Sequence, residues 1–163
     1  MSRSDPDPRL QLLRHTVATL AYRGGKVLRD APPGFATFAA GPGSRTPGAI
    51  LAHLGDVLDW ACGFVEGQER WQVQPAGAWD GDVERFFAAL TRLDALLADA
   101  EGADVPAERL FQGPIADALT HVGQLAFLRR LSGAPIKGEN YFIATIEAGR
   151  VGREQEAPIR EFE

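Results

Sequence analysis

Cysteine is nearly absent from this sequence. A single residue, Cys62, excludes an intramolecular disulfide and suits a reducing cytosol. Concentrated positive charge is missing too: 17 Lys and Arg stand against 22 Asp and Glu, giving a net charge of −5, and no basic run exceeds Arg129-Arg130. Nucleic acid, which demands a basic stripe to neutralise its phosphates, is therefore not an expected partner. There is no uninterrupted apolar run of membrane-spanning length, and the polar, proline-bearing opening from Ser2 to Pro8 has no apolar core behind it. Neither a membrane partner nor a secretory signal is expected, and the default location is the cytoplasm. Gly41-Pro42-Gly43-Ser44 lacks the Gly-Lys-Ser/Thr ending of a phosphate loop, and no serine stands in a Gly-x-Ser-x-Gly elbow. No internal repeat, low-complexity tract or convincing strand pair is found.

What is present is helical periodicity. The 163 residues suit one domain with a real core, with residues 1–8 and about 148–163 as loose arms. Leu10, Leu13, Val17, Leu20 and Val27 recur at helix spacing from Pro8, with Arg14, Arg23 and Lys26 left for the outer face. Gly24-Gly25 is expected to bend or fray that helix, and Asp30-Ala31-Pro32-Pro33-Gly34 to stop it. The loop from Phe35 to Gly43 is apolar enough to pack across helix ends and rim a pocket. Thr46-Pro47 supplies a cap and a first-turn proline for a second helix reaching about Gly67. A third follows the loop Gln72 to Gly81, with Val83, Phe86, Phe87, Leu90, Leu93, Leu96 and Leu97 on its apolar side. After a break over Glu101 to Pro106, Gly113-Pro114 launches a fourth helix ending near Ser132-Gly133. Tyr141 to Ile146 is a short packed segment, helical or extended, and the charged tail from Glu147 is mobile or docks on a partner subunit. This pattern predicts an all-α four-helix bundle with a short extra C-terminal segment.

Chemistry concentrates in two of these helices. Asp117 and His121 are four residues apart, hence one turn apart on one helix face, inside an otherwise apolar pattern. His53 lies at the edge of the apolar stripe of the second helix, in Ile50-Leu51-Ala52-His53-Leu54. If those helices pack together, two imidazoles and a carboxylate converge, which is the ligand count of a catalytic zinc with one coordination position open. Nickel, iron(II) and manganese accept the same set. The competing reading makes both histidines ordinary half-buried residues and Asp117 a complement to the helix dipole. Asp56 is read either as a support or replacement ligand or as a solvated carboxylate. Gln124 is read as orienting a ligand or substrate, or as satisfying backbone. Trp60, Trp71 and Trp79 either wall a substrate pocket or fill core and interface. Cys62 as a nucleophile lacks an identified base, and His15 reads as a surface residue.

Two segments resemble a known family. Ile50-Leu51-Ala52-His53-Leu54, and His121-Val122-Gly123-Gln124-Leu125 with Leu128-Arg129-Arg130-Leu131-Ser132-Gly133-Ala134-Pro135 after it, are similar to the DinB/YfiT-like superfamily of metal-dependent four-helix bundle proteins. That family typically carries one histidine in the second helix and a His-x-x-x-His pair in a later one, the last followed by Gly-Gln. His53 and His121 match the first and last of these, and Asp117 stands where the middle histidine is expected. The resemblance implies a homodimer acting on a small molecule, as a metal-dependent hydrolase or as a transferase using a low-molecular-weight thiol. The Asp117 departure leaves a second implication, a non-catalytic ligand-binding or stress-response scaffold of the same fold.

Overall fold

The computed structural model describes residues 7–100 and 104–162. Its helices are α1 (Pro8–Leu28), α2 (Pro47–Val65), α3 (Trp79–Asp99), α4 (Ala107–Leu110) and α5 (Ala116–Leu131), with a π-helical turn, Phe111–Ile115, joining the last two. Local chemistry sets their starts. The Asp7 carboxylate accepts the Arg9 amide at 2.9 Å and Pro8 fills the first turn of α1, so the expected arm of residues 1–8 ends in a formed cap. Residues 1–6 of that arm, and 101–103 of the expected break before the fourth helix, lie outside the described residues. Thr46 caps α2 by accepting the Ala49 amide at 3.3 Å.

Two expectations about helix interiors are corrected. Gly24-Gly25 does not fray α1, which continues to Leu28, and both glycines lie buried within it. A Cβ built on Gly24 would stand 2.6 Å from Phe86 Cζ, so the glycine is what lets α1 and α3 approach. The fourth helix does not start at Gly113-Pro114, because Ala107 to Leu131 is one helical run. Pro114 has no amide hydrogen and cannot close an ordinary helical bond, and the π turn takes up that defect without ending the helix.

Packing is organised by pairs: α1 and α2 each lie against both α3 and α5. Between them Leu20, Leu51, Leu54, Leu58, Phe86, Leu90, Leu93, Ile115 and Leu125 are fully buried. At about 1.5–3 kcal/mol per buried side chain, this apolar interior is the main stabilising term. Among the described residues α2 alone is long and apolar enough to cross a membrane by length and composition, but 67% of that window is buried inside the protein, as a core helix is. Arg14 is not left for the outer face: it forms a two-pronged pair with Asp94, at 2.9 and 3.0 Å. Arg129 is buried and donates to three carbonyls, Val27, Arg29 and Ala134, tying the end of α1 to the end of α5.

The tail corrects another expectation. Residues 148–162 are not a loose arm in the described structure, and residue 163 of that expected arm lies outside the described residues. Glu161–Phe162 (β2) pairs antiparallel with Gly138–Glu139 (β1), a strand pair the sequence did not reveal. Buried Glu139 accepts from Tyr22 at 2.5 Å and from Lys26 at 2.7 Å, and Lys26 also reaches Glu161 at 2.8 Å. Lys26 is thus the clasp that holds the tail to α1. Tyr141 to Ile143 forms one 3-10 turn, and Ala144 after it is extended.

Candidate metal centre

Because α2 and α5 are neighbours, His53 meets Asp117 and His121 across their seam. The ligand-capable atoms of the three lie within 4.8 Å of one another. His53 Nε2 is 3.5 Å from one Asp117 carboxylate oxygen, and His121 Nδ1 is 3.5 Å from the other. Both separations exceed a good hydrogen bond. Two ligands each about 2.1 Å from a tetrahedral ion stand about 3.4 Å apart, so the His53–Asp117 spacing suits a shared ion, and side-chain torsion can close the wider separation. The imidazole ring centres are 4.7 Å apart.

Hydrogen bonding assigns the tautomer of His121. Its Nδ1 lies 2.9 Å from the Asp117 backbone carbonyl, which can only accept, so Nδ1 carries the hydrogen and Nε2 keeps the lone pair. A histidine whose other nitrogen is tied to a carbonyl is in the usual arrangement of a metal ligand. His53 is held below the ordinary imidazole range, chiefly by burial, then by repulsion from His121 whenever that ring is protonated and from Arg45, and opposed by Asp117. It is therefore neutral at pH 7 and able to donate a lone pair. The cluster is not sealed: side-chain exposure is 46% for Asp117 against 22% for His53 and 11% for His121. The Asp117 side is where water or a small molecule can enter.

Asp117 is about three turns into a continuous helical run, too far from its start for the helix dipole to explain it. Its half-exposed carboxylate is solvated by water on the open side.

The remaining candidates separate. Asp56 is neither a support ligand nor solvated; it is buried, paired with Arg85 at 2.8 Å, and accepts the Gln74 amide at 3.2 Å. Gln124 is exposed one turn beyond His121, and its side chain makes no hydrogen bond among the described residues. Trp60 reaches the site only through Trp71, whose ring lies edge-on to Trp60 at 5.5 Å and to His53 at 5.9 Å. Trp71 is thus the aromatic neighbour of the cluster. It is 48% exposed on the loop after α2, where no periodicity marks it. Trp79 packs instead against buried Phe35. Cys62 is fully buried, its thiol pushed up to about 12 by burial, which removes it as a nucleophile. His15 is exposed on α1. Searches against family models, curated proteins and solved structures find no match to the chain.

Proposed function

We propose that the chain is a metal-dependent four-helix bundle protein of the DinB/YfiT-like kind, in which His53, Asp117 and His121 hold one divalent ion. The observation that carries this reading is the convergence of a neutral imidazole, a carboxylate and a second imidazole of fixed tautomer within 4.8 Å, open to solvent on one side. Zinc fits the donor set first, and nickel, iron(II) and manganese fit it as well. The ion supplies Lewis acidity, to a water for hydrolysis or to a low-molecular-weight thiol for transfer. The chain's own residues do the rest. The Asp117 carbonyl orients His121, Asp117 supplies negative charge at the open side, and Trp71 shields His53 and gives an entering molecule an apolar wall. Nothing in the chain competes as the sulfur nucleophile, since Cys62 is buried and protonated, so a thiol for transfer comes from the substrate side. We take the protein as a cytoplasmic homodimer acting on a small molecule.

Metal analysis tests this. Protein purified without a metal-affinity tag, stripped and reconstituted with zinc, nickel, manganese or anaerobic iron(II), binds one equivalent of one of them. His53→Ala, Asp117→Ala and His121→Ala each lose it. Failure of every ion to bind the wild type sinks the proposal.

A further inference from the structure

The face of α5 opposite the candidate metal centre carries a groove of its own. At 100° per residue, Leu119, Gly123, Ala126 and Arg130 lie roughly 140° to 200° around α5 from His121, so the two sites share no side of the helix. The groove has two stretches, about 220 and 350 Å³, joined through Ala126, Ile136 and Tyr141. Together they reach the size of a small-molecule site.

Its chemistry is one-sided. The floor is apolar, from Val27, Leu119, Val122 and Ile136, and Phe127 stands 59% exposed at the rim. The charged lining residues are Arg23, Arg130 and Lys137, with no carboxylate among them, in a chain of net charge −5. None of the three makes an ion pair among the described residues. Lys137 acts on Glu161 only at longer range, and the two acidic side chains nearby, Glu139 and Glu161, are held by Lys26. Arg23 is stacked 4.2 Å above the Tyr141 ring, so its charge is fixed over the groove.

Gly123 adds an independent observation. A glycine inside a helix costs about 1 kcal/mol relative to alanine and is usually explained by something that approaches the backbone closely. Gly24 has Phe86 in that place, whereas a Cβ on Gly123 would meet nothing within 4 Å. The open space above it belongs to the groove.

We propose that this groove binds a monomeric anionic amphiphile, a single-chain carboxylate. Its alkyl chain lies along α5 over Gly123 and Ala126, and its head lies between Arg130 and Lys137. An alkyl chain covers the apolar floor and needs no hydrogen bonds from it. A carboxylate supplies the negative charge that Arg130 and Lys137 lack, and the Arg130 guanidinium donates to it in two-pronged geometry. The site is independent of any metal at His53, Asp117 and His121.

Calorimetric titration of the full chain with dodecanoate, kept below its micelle concentration, tests the proposal. One saturable equivalent is expected, with no saturable binding of dodecyltrimethylammonium. The exposed double variant Arg130→Gln with Lys137→Gln weakens dodecanoate by at least about tenfold. Gly123→Leu abolishes binding, while His121→Ala leaves it intact. The proposal is overturned if the cationic amphiphile binds equally, if the double variant binds as the wild type does, or if anionic vesicles bind and monomeric dodecanoate does not. It is also overturned if Gly123→Leu splits a dimer without affecting dodecanoate, because that face is then an interface between copies.

Discussion

His121 is oriented by its own helix. With Nδ1 bonded to the Asp117 carbonyl one turn back, the ring keeps its tautomer whether or not anything else binds, and only Nε2 remains for a ligand. Asp117 has no such anchor, which makes it the residue whose substitution discriminates best. Asp117→Ala removes a donor and is expected to lose the metal. Asp117→His supplies a third imidazole at the same position and is expected to keep one equivalent, read by metal analysis of the dialysed protein. Loss in both variants would mean that the third ligand is not at this position. Trp71 offers a second test of the site. Its indole is 5.9 Å from His53, close enough for a bound paramagnetic ion to quench its emission. Nickel or cobalt titration should quench part of the tryptophan fluorescence with saturation at one equivalent, zinc should not, and Trp71→Phe should remove most of the effect. Quenching that survives Trp71→Phe undiminished contradicts the placement.

Helices differ in why they carry glycine, and stability measurements can read that difference. At Gly24 a methyl group meets the Phe86 ring, so Gly24→Ala is expected to destabilise by about 1–3 kcal/mol despite its better helix propensity. At Gly123 the same methyl meets open space, and Gly123→Ala is expected to stabilise by about 0.5–1 kcal/mol. Urea unfolding of the two variants, showing shifts of opposite sign, checks both. The tail is held differently, by charge. Glu161 is exposed, and its hydrogen bond to Lys26 holds its carboxyl below the ordinary value of 4.5. A carboxylate whose folded pKa is depressed contributes above its unfolded pKa, and the contribution is lost as pH falls through the folded one. Pairing of Glu161–Phe162 with Gly138–Glu139 should therefore persist at pH 7 and loosen below about pH 4.5, followed by the ring resonances of Phe162. Lys26→Met should loosen it already at neutral pH.

For the molecule as a whole, what was legible in the sequence was what repeats. Leu10, Leu13, Val17 and Leu20 on α1, and Phe86, Leu90, Leu93 and Leu97 on α3, have the helical period, and all are buried. His53, Asp117 and His121 were legible because each lies on or beside such a stripe. Trp71 was legible only as one of three tryptophans that could wall a pocket, since a loop residue has no period to single it out. Asp56 was misread because its partner, Arg85, is 29 residues away and on another helix. The start of the fourth helix was misread because Gly113-Pro114 looks like a start, and only a π turn lets the proline stay inside. The two-residue strands of the tail are too short to leave an alternating pattern. A whole-molecule consequence of the metal reading is linkage: zinc at about a hundred times its dissociation constant should stabilise the native state by about 2.7 kcal/mol and raise Tm, and His53→Ala should abolish the shift. The most direct measurement is cobalt(II) titration of the metal-free protein, followed by visible d–d absorption. A rise that breaks sharply at one equivalent is expected, absent in His121→Ala, with a sulfur charge-transfer band only when an external thiol is added, because Cys62 is sealed in the core. A wild-type trace with no break, or one that His121→Ala leaves unchanged, would contradict the metal reading.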